Sequence, residues 1–463
     1  MTLLLGIDLG TSYFKVGLFD TLGALKGLGR VAVPSQTPAP GRCELSVELF
    51  WDALRRGLEE ALAEADAAPA DIVGLSYSSQ ANTFVLIDRW DQPLTPLVIW
   101  VDERGEPVEE ELNCFSHSAE FGQKTGFRGI TGSWAVAKWR WWQKTQPHIW
   151  AKTHRVMTLS DYFTFSLTGE RAGDASTAAF LGFYDLAGRK WWPEALRTFR
   201  IDPDQLSDPL PPGTRCGRTF EGATARLGLP SGIPFTVGGL DHHVAGLGSG
   251  LGRLGEVSIS TGTVLAAMAL VEEVIPQEGC YHGPHFDRVR FYRLAFDPRG
   301  AGQLEDYQRR FAQDRTLKQL LALAALAPPG CTPGREPGPG VSDREHGEFV
   351  RQLLERIAVG HRALLGQVMG APSPRTIVAT GGGARSALWL QIKAAVLGAT
   401  MVKPRGQELA CLGASLLAGV GAGIFQGLDE ASQSVVREEI RYVPEPELLN
   451  FYRGWNPSKG DSL

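Results

Sequence analysis

Apolar and polar positions alternate along this chain in two rhythms, and each change of rhythm marks a new element. Apolar runs at residues 3–7 and 16–19 flank Asp8-Leu9-Gly10-Thr11-Ser12, which predicts a β-hairpin with a tight turn. A turn sequence, Asp20-Thr21-Leu22-Gly23, separates it from a third strand that ends before about Pro34. The period then lengthens: Leu49, Phe50, Ala53, Leu54, Leu58, Ala61 and Leu62 share one face of a helix over residues 47–65. Residues 72–78 read as a buried strand entering the polar loop Ser79-Gln80-Ala81-Asn82-Thr83, with another strand at 84–88. Ser133 is placed as the N-cap of a tryptophan-rich helix over residues 133–142. Further on, a strand at 234–239 leads into Leu240-Asp241-His242-His243, and helices are predicted at 317–327 and 349–369. The strand 376–380 then runs through Gly381-Gly382-Gly383 into a helix over 386–397, with a small-residue helix at 408–419. Strands alternating with helices in this way make an α/β chain.

Composition narrows the picture. A chain of 463 residues is too long for one core, since single domains stop growing near ~250 to 300 residues, so two domains are expected, divided at 236/237 beyond the Pro-rich passage 203–213. With 46 basic and 51 acidic residues the net charge is −5, and no surface for nucleic acid is implied. Six scattered cysteines without a CxxC pair argue against a zinc knuckle or a disulfide framework, and a cytoplasmic setting follows. The most membrane-like run, residues 411–425, is short and broken by glycines, so no membrane partner is expected.

Chemistry concentrates at the first turn, where a carboxylate, two hydroxyls and a flexible glycine form a candidate phosphate cradle. There Asp8 stands where Mg²⁺ bridges protein and phosphate, directly or through water, while Thr11 and Ser12 face phosphate and Lys15 offers a point charge. Asp and Gly also suit turns that bind nothing. A weaker copy, Ser258-Ile259-Ser260-Thr261-Gly262-Thr263-Val264-Leu265, recurs in the second half, with Thr261 as its candidate phosphate contact. One such hairpin per half suggests duplication, with nucleotide between the halves. Two other signals are empty: Gly250-Leu251-Gly252-Arg253-Leu254-Gly255 precedes a strand where a dinucleotide fingerprint must follow one, and His242-His243 lacks a third ligand at metal spacing.

With both hairpins in hand the chain resembles the FGGY carbohydrate kinases, sugar and polyol kinases of the actin, Hsp70 and hexokinase superfamily, over nearly its whole length. The resemblance implies two actin-like, ribonuclease H-like α/β domains with an interdomain cleft: a sugar-binding domain over 1–236 and an ATP-binding domain over 237–463. Trp100-Val101-Asp102-Glu103-Arg104 is similar to the family's Trp-x-Asp-x-Arg segment, whose Asp and Arg face the sugar; a surface ion pair is the plain alternative. Asp241 occupies the place of the family's catalytic Asp and is the candidate general base, against a simple N-cap aspartate. Gly381 to Trp389 resembles the adenosine-binding motif and brings Gly382, Gly383 and Ala384 to the nucleotide.

The implied activity is ATP- and Mg²⁺-dependent phosphorylation of a sugar or polyol, most simply a pentulose such as xylulose or ribulose. Gln80, Ala81, Asn82, Asp102, Arg104, Asp241 and His242 line that substrate, and a homodimer is compatible with the resemblance. Two departures bear on it. Xylulokinases show Gly-Gln-Met-His and glycerol kinases Asn-Gln-Arg-Glu where this chain has Ser79-Gln80-Ala81-Asn82, so Ala81 and Asn82 match neither. Residues 280–342, which include a Pro- and Gly-rich loop, lack the longer Gly-Glu-Arg segment of the family. That absence keeps open a catalytically weak sugar- or nucleotide-sensing protein on the same fold. An actin- or Hsp70-like ATPase is a third reading, disfavoured because the Trp100 to Arg104 and Gln80 to Thr83 segments have no purpose without a small polar substrate.

Overall fold

A computed structural model describes all residues except 263, 299, 301, 332–337, 339, 371–372 and 456–463; Thr263 of the second hairpin and most of the Pro-rich loop therefore lie outside the described residues. The chain divides into two compact units. One comprises Met1–Gly248, Val271–Tyr292 and Gly406–Val436; the other comprises Ser249–Leu270, Arg293–Arg405 and Arg437–Leu463. The single division expected at 236/237 is thus replaced by several crossings.

In the first unit, strands β1 (Leu3–Leu9), β2 (Tyr13–Asp20) and β3 (Leu25–Ala32) form an antiparallel meander, as the alternation predicts. Helix α1 (Val47–Ala65), with Ser46 as N-cap, buries Phe50, Ala53, Leu54, Leu58 and Ala61 of the stripe read from the sequence, leaves Leu49 and Leu62 part-exposed, and adds Trp51. Strand β4 (Ile72–Ser79) returns parallel to β1. Beyond it lie β5 (Arg215–Arg218) and β6 (Pro234–Thr236), while β7 (Gly239–Leu240) pairs with the carboxyl end of β4. α2 (Asp241–Ser249) follows without a break. A core of leucine, valine and aromatic side chains from β1, β2, α1 and β4 fills the space between sheet and helices.

The helix Leu409–Gly421 belongs to this unit although it lies far along the chain. It packs directly on the sheet because Gly6 lets its backbone approach: a Cβ there would fall 2.0 Å from the Cys411 carbonyl oxygen. A side chain at either surface would hold the two apart, which is why a late segment completes an early domain.

The second unit repeats the plan. β8 (Val257–Thr261) and β9 (Leu265–Val271) make the second hairpin. The long helix α3 (Asp343–Met369), capped by Ser342, begins six residues before the sequence reading at 349. β10 (Thr376–Thr380) runs parallel to β8, and α4 (Ala387–Leu397) starts behind its N-cap Ser386. β11 (Thr400–Pro404) and the antiparallel edge β12 (Glu438–Tyr442) extend the sheet on one side, and the strands Cys280–Pro284 and Phe291–Asp297 extend it beyond β9 on the other. Among the described residues, no helix is long and apolar enough to cross a membrane.

Candidate active site

The register of three parallel strands assembles the first group. β1 places Asp8 beside Ser78 of β4, and β4 in turn places Ser79 beside Leu240 of β7, the residue before Asp241. Asp8, Ser78 and Asp241 therefore gather at the carboxyl ends of neighbouring strands, the edge at which α/β sheets bind ligands. Asp8 is 8% exposed and accepts a hydrogen bond from Ser78 Oγ at 2.9 Å. Burial drives its pKa up to about 6; Lys15 opposes the shift and the charge of Asp241 adds to it.

Lys15 lies opposite Asp8 on β2, its Nζ 3.7 Å from Asp8 and 2.7 Å from Glu408. Burial works against its charge, but the two carboxylates prevail and its pKa is raised. Glu408, which the sequence reading passed over, sits in left-handed backbone (φ 52°) just ahead of the helix Leu409–Gly421. Two carboxylates around one ammonium, with Asp241 close enough to perturb Asp8, leave this corner short of positive charge.

Asp241 opens α2, and its Oδ1 accepts the backbone N–H of His242 at 2.7 Å. Its position is braced from behind: Asp174 holds Ser176 Oγ at 2.6 Å, and Ser176 Oγ accepts the N–H of Leu240 at 2.9 Å. Asp174 thus braces the backbone that delivers Asp241. His242 is part-exposed, whereas His243 is buried against Phe286 and bonded to His285.

The loops expected to meet the sugar are more heavily cross-braced than their sequence reveals. Gln80 Nε2 donates to the Gly10 carbonyl at 3.0 Å and its Oε1 accepts from Thr83 at 3.0 Å, which ties this loop to the hairpin turn. Asn82 adopts left-handed backbone (φ 61°), and its Oδ1 accepts the N–H of Ala135 at 3.0 Å. That bond caps the helix Ala135–Thr145, the role expected of Ser133, whose hydroxyl pairs instead with Thr131. Ala81 remains part-exposed beside it.

Asp102 is fully buried, and its carboxylate is taken by Arg104 and the N–H of Cys43. The expected sugar-facing pair is instead an internal bidentate brace, extended by Arg104 to Glu44 at 2.5 Å. Buried Lys138, whose pKa falls to about 7 through desolvation, donates to the carbonyls of Ile99 and Trp100. What these braces present is Trp100, 38% exposed, with Nε1 donating to Thr11 Oγ1 at 2.8 Å. Ser12 is exposed at the same turn.

In the second unit, β8 and β10 end together, bringing Thr261 against Gly381 and Gly383. The Thr261 hydroxyl, expected at phosphate, is turned inward and accepts from Lys393 Nζ; the side chain is 1% exposed. Gly383 is buried over that side chain, a Cβ there meeting Thr261 Cβ at 2.7 Å, so it is a packing glycine. Gly382 differs: it is exposed and a Cβ would meet nothing within 4 Å. Ala384 is buried in the short turn Gly382–Arg385. Lys393 also escaped the sequence reading, although a lone lysine in the apolar segment Ala387–Leu397 was the available signal.

Comparison with known proteins bears on the family and the fold. The chain matches the FGGY family of carbohydrate kinases in both its N-terminal domain, over residues 3–248, and its C-terminal domain, over 327–422. A xylulose kinase of Bacillus subtilis (strain 168) is 25% identical, covering 98% of this chain and 95% of its own. An autoinducer-2 kinase of Escherichia coli (strain K12) is 26% identical over 97% and 92%. The crystal structure of ligand-bound xylulose kinase from Lactobacillus acidophilus shares the fold with a TM-score of 0.86, at 21% identity over 98% of this chain and 96% of that one. The chain belongs to the FGGY family of carbohydrate kinases. It is an ATP-dependent sugar kinase, a transferase that phosphorylates an alcohol group.

Proposed function

We propose that this kinase phosphorylates a pentulose, with xylulose the first candidate, and that Asp241 is its general base. The observation that carries the reading is the gathering of Asp8, Ser78 and Asp241 at one sheet edge. The Asp241 carboxylate accepts the proton of the substrate hydroxyl as its oxygen bonds to the γ-phosphorus, and the bond from that phosphorus to the bridging oxygen of ADP breaks. Because the transition state of such a transfer is loose, positioning and charge carry most of the acceleration. Asp174 and Ser176, by fixing Leu240, hold the base in register. Thr11 and Ser12 present their hydroxyls to phosphate, Lys15 offers its ammonium, and Gly382 gives the adenosine room.

Mg²⁺ suits Asp8. Its carboxylate is buried and strained by the charge of Asp241, and Lys15 is shared with Glu408, so a divalent cation would relieve an excess of negative charge. No group of three or more candidate ligands occurs among the described residues, in keeping with an ion that takes one or two carboxylates and completes its shell with phosphate oxygens and water. Asp8 would hold it, and the ion would neutralise charge on the phosphates.

Substrate choice rests on Ala81, Asn82 and Trp100. A small methyl beside a neutral amide leaves more room than a charged clamp, and the exposed indole offers a flat apolar wall for carbon-bound hydrogens. An ADP-release assay over xylulose, ribulose, glycerol, tetritols and aldonates tests the assignment. Turnover led by a pentulose supports it; turnover led by glycerol overturns it. ATP binding without turnover on any of them would favour the sensing protein.

A further inference from the structure

Among the described residues, Lys393 has no partner of opposite charge. Its side chain is wholly buried in α4, it donates to Thr261 Oγ1 and its Nζ lies 4.6 Å from the centre of the Trp389 ring. An ammonium deprived of water normally requires a carboxylate or a dense set of carbonyls. Among the described residues no carboxylate acts on it, and desolvation alone brings its pKa down to about 7. The titratable neighbour its charge reaches is His361 of α3, bonded to the Ser260 carbonyl at 3.3 Å and pushed down to about 3 by burial and then by Lys393, with Asp297 opposing. That imidazole is neutral at any working pH and offers no countercharge.

The place of this lysine gives it a use. Thr261 is the wedge of the second unit: Gly381 lies over its backbone, with a Cβ there 2.8 Å from the Thr261 carbonyl oxygen, and Gly383 over its side chain. Whatever fixes Thr261 fixes the end of the β8–β9 hairpin and the glycine turn together. We propose that Lys393 is the positioning residue for nucleotide binding: it pins Thr261 so that hairpin and glycine turn keep one spacing, and its buried positive charge takes the polyphosphate of the nucleotide as its missing counter-ion. This rests on the assignment of the nucleotide to these two loops.

Two consequences separate this role from a structural one. Nucleotide binding completes the lysine's charge balance, so near pH 8, where much of Lys393 is neutral in the empty protein, binding must draw in protons. Lys393→Met removes a buried charge that no carboxylate among the described residues balances, and the desolvation it relieves outweighs the one hydrogen bond lost to Thr261, so the variant should fold at least as well as the wild type. Calorimetric titration with ATP at pH 8, in two buffers of different ionisation enthalpy, reads both. The expected result is net proton uptake by the wild type, none by Lys393→Met, and about tenfold weaker ATP binding in that variant with an unchanged KM for sugar and a thermal midpoint no lower.

Absence of proton uptake by the wild type overturns the proposal without any variant, as does ATP binding by Lys393→Met at wild-type strength. Gly382→Trp distinguishes the two levels. If it leaves ATP affinity intact, the placement of the nucleotide falls and the proposal with it. If it weakens ATP binding while Lys393→Met does not, only the role of Lys393 is refuted.

Discussion

Asp241→Asn keeps the shape of the side chain and removes the proposed proton acceptor. Turnover should fall by several orders of magnitude while ATP binding, read by calorimetry, stays near wild type. Retention of more than about a tenth of kcat would remove Asp241 from that role. Asp8 makes a prediction of a different kind. An unfolded aspartate releases its proton near 3.8, whereas the folded one keeps it to about 6, so between these values the folded state binds more protons and stability falls as pH rises. Above pH 6 the ionised carboxylate destabilises the empty protein in full. Asp8→Asn should therefore melt higher than wild type at pH 8 without ligands, with the gap closing toward pH 4, although it should lose activity. Equal midpoints at pH 8 would show that Asp8 carries no such burden.

At the scale of elements, the helices and strands whose own residues decide them were legible. The α1 stripe and the strand Thr376–Thr380 fall where periodicity put them, because the helix buries one apolar face and the strand, covered on both faces, buries the consecutive run Ile377, Val378 and Ala379. What periodicity cannot carry is a bond between distant segments. The helix Ala135–Thr145 draws its cap from Asn82, and Ser133, next to the helix in sequence, turns to Thr131. The Asp102–Arg104 pair was legible as a pair, but its burial depends on Cys43 and Glu44 closing over it. Lys393 was missed because its hydrogen-bond partner, Thr261, lies at the end of a strand far from it in sequence.

Asn82 joins element and substrate. Asn82→Ala removes the cap and leaves alanine in left-handed backbone, so chemical denaturation should show a loss of about 1–3 kcal/mol. If its part-free amide also meets the sugar, kcat/KM for sugar should drop by a further 10- to 100-fold with the KM for ATP little changed. Destabilisation with untouched sugar kinetics would reduce Asn82 to a structural cap.

For the whole molecule, the repeated hairpin was the strongest signal in the sequence, since each half carries a turn, a parallel return strand and a ligand-competent strand end. The division of the chain into units was not legible. It depends on the helix Leu409–Gly421 settling on the first sheet, and the glycines that admit it, such as Gly6, look from sequence like ordinary strand residues. The most direct test of the account is ADP release by the purified protein with MgATP and the substrate panel, run in parallel for wild type and Asp241→Asn. The account predicts turnover with a pentulose well above glycerol, abolished in Asp241→Asn; glycerol as the best substrate, or pentulose turnover that survives Asp241→Asn, would contradict it.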